Sequence, residues 1–420
     1  NAGRNEGNLP PPLPGAKPPI IGVGANAPAQ TTASNGSGLA QGISGFLSFF
    51  LAVFLADGLV SVLDDSLILF FQAHLLSGIR GLLSGVTLLV AIGVYGLMAL
   101  TPMVPKRWFL PLALFLPIAA LATLPFLIYF RESVQAISWV VSLVQLLFGL
   151  TVLHRIRGGF KIDWPFVKEE QLAARRFSWR NLVGFVALNL FLLLPLAAGY
   201  LGTCAALAVD HFSAGFMALR PTGLKMEVRT YANEEGKTIQ LYPMMHIGDA
   251  AFYRQLSESI PTNSVILMEG VSDRNNLLKT KAGYSRLAQS LGLADQKEEF
   301  VPEAAQVVNA DVDVETFAPE TIAVLNTVMQ VHAKGLNADG LRVLMKSSPP
   351  AGFEEQFWED ILRNRNQHLL MKIEEWLPKA DHLVVPWGAA HMPEIEREIA
   401  KAGFRLQETE RMVAVRFGRR

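Results

Sequence analysis

IQLYPMMHIGDAAFYRQLSESIPTNSVILMEGVSD, residues 239 to 273, reads as strand, histidine, helix, strand, glutamate. Its two apolar runs, Ile239 to Met245 and Val265 to Met268, have the length and residue types of buried strands, and they end on His246 and Glu269. Between them Asp249 to Ser259 has the pattern of a helix. A third run near the C-terminus, LVVPWGAAH, closes on His391, so three residues of metal-ligand type stand at strand ends.

Outward from this stretch the C-terminal 200 or so residues alternate strands with helices, which argues an α/β domain, a mixed sheet with flanking helices, over 220–420. LKMEVRTY (224–231) and KTIQLYPM (237–244) are separated by ANEEG and predict a hairpin. Helices are expected around Gly283 to Leu291, Thr321 to His332 and Glu354 to Trp376, with DHLVVPWG as a buried strand. A helix opened by proline follows over Pro393 to Ala402, and FRLQETE with RMVAVRF reads as a closing hairpin.

The text upstream is of another kind. Half of the 420 residues are hydrophobic and only 18% are charged, and the mean hydropathy is positive, which is the composition of a membrane protein. Five segments, 43–63, 83–104, 108–130, 133–153 and 181–209, reach the ~20 residues that cross a bilayer as a helix, so 41–210 is expected to be an all-α transmembrane domain. The apolar stretch 66–78 is too short to span and reads as an interfacial or re-entrant helix. Residues 1–40 are rich in Pro, Gly and Ala and read as a disordered tail, with PPPLP as a stiff linker or a polyproline ligand. The chain opens on Asn1 with no secretory signal pattern, so a trimmed or processed chain is expected.

Basic residues orient the spans. Arg155, Arg157, Lys161, Lys168, Arg175, Arg176 and Arg180 lie between spans four and five, and Lys106 and Arg107 between spans two and three. Both loops are expected in the cytoplasm, which puts the N-terminus inside and the C-terminal domain outside, periplasmic or extracellular. The formal net charge is zero, giving no sign of a nucleic-acid partner, and the one cysteine, Cys204, excludes a disulfide framework or a cysteine metal site within these residues. Asp57 lies inside the first span; a packing role is preferred to a proton or ion path because no basic partner is evident at membrane depth and it sits toward the outer end of its helix.

If the three strands are parallel neighbours, two imidazoles and a carboxylate converge at their carboxyl ends, where α/β sheets gather ligands. Such a set suits manganese, cobalt or zinc with positions left for water and substrate. The spacing, about 23 residues from His246 to Glu269 and about 145 to His391, is less specific than a helical pair of ligands. Any one of these residues taken alone is more often a hydrogen-bonded core histidine or a helix cap.

Gly388-Ala389-Ala390-His391 has the form GxxH, Glu269 ends a strand after the first histidine, and RNQHLLMKIEEWL carries an Arg-Asn pair on the helix before the last strand. In these features residues 222 to 420 resemble the TraB/GumN family, related to the Tiki membrane-associated metalloproteases. The pair is Arg365-Asn366 or, two residues earlier, Arg363-Asn364, the former matching the helix that leads into GxxH. The first motif, Pro243-Met244-Met245-His246, has proline where the family has glycine. The resemblance implies a metal-dependent hydrolase, a peptidase acting on peptides or proteins, with His246, Glu269 and His391 at the ion, Glu269 as ligand or general base, and Arg365 with Asn366 stabilising an oxyanion. The competing expectation is a membrane protein that binds or sequesters a peptide without cleaving it. Transport through the spans is a distant third, since only Asp57 offers a buried charge.

Overall fold

The computed structural model describes residues 34–159, 162–174, 177–279, 284–302, 306–334 and 353–418. Among these described residues five helices are long and apolar enough to cross a membrane, by length and composition, as in an integral membrane protein: α1 (Ser34–Phe71), α2 (Ser77–Leu100), α3 (Lys106–Tyr129), α4 (Val134–Arg157) and α5 (Trp179–Phe212). Of the tail expected over 1–40, residues 1–33 lie outside the described residues, and Ser34 onward belongs to α1. Lys161, Arg175 and Arg176 of the basic loop also lie outside them. The stretch 66–78 is not a separate helix. Ser66 to Phe71 continues α1, and after a short turn Ser77 opens α2.

The chain forms two compact units, one of residues up to Leu114 with Ser142–Leu182, the other of Phe115–Val141 with Val183–Arg420. In the first, α1 meets α4 closely: a Cβ on Gly149 would stand 2.7 Å from a methyl of Leu55, and one on Gly58 would stand 3.1 Å from the backbone of Leu146. Small residues allow that approach. Fully buried acids then join the helices. Asp57 accepts from Ser84 at 2.6 Å and Gln145 at 2.8 Å. Eight residues on, which is the same face of a helix, Asp65 accepts from Ser142 and pairs with Arg80, each at 2.6 Å.

The second unit contains a seven-stranded mixed sheet: β1 (Met217–Arg220), β2 (Gly223–Ala232), β3 (Thr238–Met244), β5 (Val265–Met268), β7 (Gln306–Asn309), β8 (His382–Gly388) and β9 (Arg405–Arg416). Two further short strands, β4 (Ile247–Gly248) and β6 (Ala294–Asp295), pair with each other. The order β3-β8-β5-β7 is parallel throughout, while β2 pairs antiparallel with β1, β3 and β9. The expected closing hairpin is one continuous strand instead. No glycine, proline or asparagine interrupts Arg405 to Arg416, and β2 offers β9 a full-length edge, with irregularities at Leu224/Lys225 and Thr230/Tyr231.

Side-chain alternation makes two cores, since successive strand residues face opposite sides. Ile239, Leu241, Val265, Leu267, Leu383, Val385 and Trp387 face α9 (Asn364–Trp376) and α10 (Met392–Lys401), through Leu369, Ile373, Ile395 and Ile399. Tyr242, Met244, Ile266 and Val384 face α6 (Ala250–Glu258), through Phe252, Tyr253 and Leu256. Each such aliphatic or aromatic side chain removed from water contributes about 1.5–3 kcal/mol. Helices α7 (Ser285–Ser290) and α8 (Pro319–Lys334) complete the described helical elements named here.

Candidate functional site

Three parallel strands end side by side, as the apolar runs predict, and a fourth, β7, joins them. Along β8 the pairing with β5 covers only Val265↔Leu383 and Ile266↔Val384. Beyond it stands Pro386, which has no N–H to give a ladder. The two strands therefore part toward their carboxyl ends, and side chains fill the gap. The indole of Trp387 donates to the Leu267 carbonyl at 2.9 Å. Glu269 accepts the Gly388 N–H on Oε2 at 2.6 Å. A Cβ on Gly388 would stand 3.4 Å from His391 and 3.5 Å from Glu269, so the glycine lets both side chains lie against the backbone.

Into this opening α9 sends Arg365, which is 8% exposed. Its Nε and Nη2 grip the two oxygens of Asp311 at 3.0 and 2.7 Å. Nη2 also reaches Oε1 of Glu269 at 2.6 Å, and Nη1 reaches the Ile361 carbonyl at 3.3 Å and Nε2 of His391 at 3.3 Å. A guanidinium has five N–H donors, and these five contacts engage them all. Burial works against its charge, but hydrogen bonding to Asp311 and the charge of Glu269 outweigh it and raise the Arg365 pKa. Asp311 is itself fixed by the N–H groups of Gly270 and Val312.

His391 follows a turn closed by its own N–H on the Gly388 carbonyl at 2.8 Å and heads α10. Its ring meets Trp387 edge-on at 5.2 Å. Nδ1 lies 2.7 Å from Oδ1 of Asn366, and Nε2 lies 3.7 Å from Oε1 of Glu269. Burial lowers its pKa to about 4 in spite of the Glu269 charge, so the ring is neutral at physiological pH.

His246 stands apart from this cluster. It is exposed on the loop after β3 and stacks flat on Tyr284, at 4.5 Å and 9°. The loop is held by Tyr253, whose hydroxyl donates to the Met245 carbonyl at 2.7 Å, and by the Gln296 N–H on the His246 carbonyl at 3.0 Å. Tyr284 is near enough to Asp295 and Glu269 that, after burial, their charges raise its pKa. Pro243 is no obstacle to the loop: it lies within β3, in register with Trp387, just before the strand's last residue.

Of the residues expected from the sequence, Glu269, Arg365, Asn366 and His391 are thus in contact, whereas His246 is not among them and stacks on Tyr284 instead. Arg363, the other arginine considered, is more than half exposed and pairs with Glu359. The expected ion requires a fit of donors. Nε2 of His391 and Oε1 of Glu269 have the chemistry and nearly the separation of two ligands, since ligands at about 2 Å in a tetrahedral shell are about 3.3 Å apart. The Arg365 guanidinium lies against both atoms, however, and among the described residues no three His, Cys, Asp or Glu are grouped to hold an ion. Asp311 and Glu394 are not foreseen from the sequence; their only trace there is an acidic residue three places after the short apolar pair Val307-Val308 and one in the first turn after GxxH.

The fold and this cluster define the class: a chain with five membrane-length helices among its described residues and an α/β domain carrying a buried polar cluster at the carboxyl ends of its parallel strands. No family model, curated protein or solved structure matches the chain.

Proposed function

We propose that the chain is a membrane-anchored hydrolase, a peptidase whose site is the cluster of Glu269, Arg365, Asn366 and His391. The observation that carries this reading is the convergence of Glu269, Arg365 and the neutral, buried His391 from three separate elements at one set of strand ends. Strand ends of this kind are where open α/β sheets bind ligands. The resemblance to the TraB/GumN family, resting on the motif residues, supports the same reading.

In this reading Glu269 is the general base, its second oxygen fixed by Gly388 so that the first faces the site. Arg365 is the residue that orients it, because all its donors are engaged and none is left for an oxyanion in this arrangement. His246 and Tyr284 stand at the margin, where a substrate chain would meet them. A divalent ion of manganese, cobalt or zinc would be held by His391 and Glu269 once Arg365 moves off them, and would lower the pKa of a bound water toward about 7. With two carboxylates, Glu269 and Asp311, facing one guanidinium, the cluster has a negative excess that favours a cation.

The domain is placed outside the cytoplasm in this proposal, following the basic residues of the loops. A cytoplasm-dependent reporter fused after Arg420 is expected to be inactive. For the activity, the full chain in detergent is expected to cleave an unstructured protein in the presence of one of these metals, and Glu269→Gln to lose that cleavage. Undiminished cleavage by Glu269→Gln rejects the assignment, and full activity after exhaustive chelation rejects the metal.

A second reading, a protein that binds a peptide without cleaving it, is favoured by the complete pairing of Arg365 within the protein. Stoichiometric peptide binding with no product over many hours distinguishes it.

A further inference from the structure

A neutral imidazole carries one N–H and one lone pair, and which nitrogen faces Glu269 decides whether His391 can accept a proton or bind an ion there. The chain of contacts behind the ring settles the matter from its far end. Glu394, in the first turn of α10, places Oε2 2.6 Å from Nδ2 of Asn366. Its other oxygen faces Arg397 at 3.4 Å. An ionised carboxylate only accepts hydrogen bonds, so the amide nitrogen of Asn366 must point toward Glu394 and the amide oxygen toward the ring. That oxygen, 2.7 Å from Nδ1, has no proton to give. Nδ1 therefore carries the hydrogen, and the lone pair is on Nε2.

The near end agrees: the nearer neighbour of Nε2 is Nη1 of Arg365 at 3.3 Å, which is only a donor, while the accepting Oε1 of Glu269 is beyond hydrogen-bond distance at 3.7 Å. Asn366 and His391 are 1% and 4% exposed, so water has little access to substitute for either partner. We propose that Glu394 is a positioning residue of this site: acting through Asn366, it fixes the amide orientation that holds the His391 lone pair on Nε2, toward Glu269.

A bland role for Glu394 is also defined, because an acidic side chain in a helix's first turn favours the helix dipole whatever it touches. The two roles respond differently to substitution. Glu394→Gln would lose the charge and keep a carbonyl that accepts from Asn366 when its amide is turned that way, whereas Glu394→Leu would lose both. A dipole role makes Glu394→Gln behave as Glu394→Leu does; the positioning role makes it behave as the parent protein does.

The proposal rests on the hydrolase reading for its consequence, but its test does not. The full chain is labelled with ¹⁵N-histidine, and the ring of His391 is assigned among the eight histidines by its loss in His391→Asn. Expected at neutral pH are a protonated Nδ1 and a lone pair on Nε2 in the parent and in Glu394→Gln. Glu394→Leu should show exchange between tautomers or the reverse one. Where Glu394→Leu fails to fold, Glu394→Lys decides: about a third of the Glu394 side chain is exposed, and an ammonium, being only a donor, demands the opposite amide orientation and moves the proton to Nε2.

A proton on Nε2 in the parent overturns the proposal, as does a lone pair that stays on Nε2 in the folded leucine or lysine variant. If cleavage is present, it should fall about 10- to 100-fold in Glu394→Leu, the usual effect of removing the partner that orients a ligand histidine, and be largely retained in Glu394→Gln. A protein that cleaves nothing but shows this tautomer pattern defeats the hydrolase reading and leaves the inference standing.

Discussion

Asp57, Asp64 and Asp65 on α1, and Glu269 and Asp311 at the ends of β5 and β7, are carboxylates withdrawn from water, each group faced by one arginine. The helical group is spread along one helix and answered by single groups from neighbours: Ser84, Gln145, Ser142, Ser77 and Arg80. Each contact joins one helix to another and involves no histidine. The strand-end group is concentrated. One guanidinium touches two carboxylates and an imidazole, and the ring is oriented from behind by Asn366. The difference is that the strand-end group adds a neutral base held beside a carboxylate where the sheet opens, the feature on which the proposed site rests. The helical acids tie α1 to α2 and α4, Asp57 and Asp65 each through donors from both neighbours.

The sharpest way to break this contrast is to remove one carboxylate oxygen from each group. Glu269→Gln is expected to lower cleavage about 10²- to 10⁴-fold, the contribution of a general base, while Asp57→Asn leaves cleavage within about twofold; equal effects in a turnover assay would erase the distinction. Next comes Arg365→Leu, which leaves Asp311 and Glu269 facing each other without a cation. Its cost should be about 3–5 kcal/mol, as for any buried ion pair deprived of one partner, read as a lowered melting temperature of the C-terminal domain.

A third effect is set by pH. His391 has its pKa lowered from 6.5 to about 4 by burial, so below 6.5 the unfolded chain takes up a proton that the folded one refuses. Its contribution is whole above pH 6.5, declines as pH falls toward 4, and is then exhausted, a total of about 3 kcal/mol at 1.36 kcal/mol per pH unit. Denaturation between pH 7 and 4 checks it against His391→Asn, which should lack this component. The smallest effect is that of Asp57→Leu on the helical unit. Interhelical hydrogen bonds in membranes contribute about 0.6 kcal/mol each, so a change within about 1–2 kcal/mol is expected in unfolding from detergent. A loss as large as that of Arg365→Leu would mean that the two groups are not so different after all.

Much of this architecture is legible before folding. Five long apolar segments announce five helices, because each must pair its own backbone groups within the segment. β3, β5 and β8 are legible for a similar reason, as short apolar runs of strand length, and His246, Glu269 and His391 fall at their ends because the runs stop there. β1 and β7 escape notice, being four residues each with polar neighbours. Two strand-like pieces adjoin at β9 and suggest a hairpin, but the absence of a turn residue between them decides for one strand.

The sequence by itself determined the membrane-length helices, the α/β alternation and the placing of acids and histidines at strand ends, since all of these depend on residues near one another in the chain. Tertiary structure alone decided that β7 lies next to β5 and brings Asp311 to the site, that α9 sends Arg365 between the strands, and that Glu394 reaches His391 through Asn366. It also decided that a guanidinium stands at the centre where the sequence suggests three ligands, with His246 left apart on Tyr284. Strand order and helix placement are set by which apolar faces bury one another over long sequence separations, and no local pattern of residues encodes that choice.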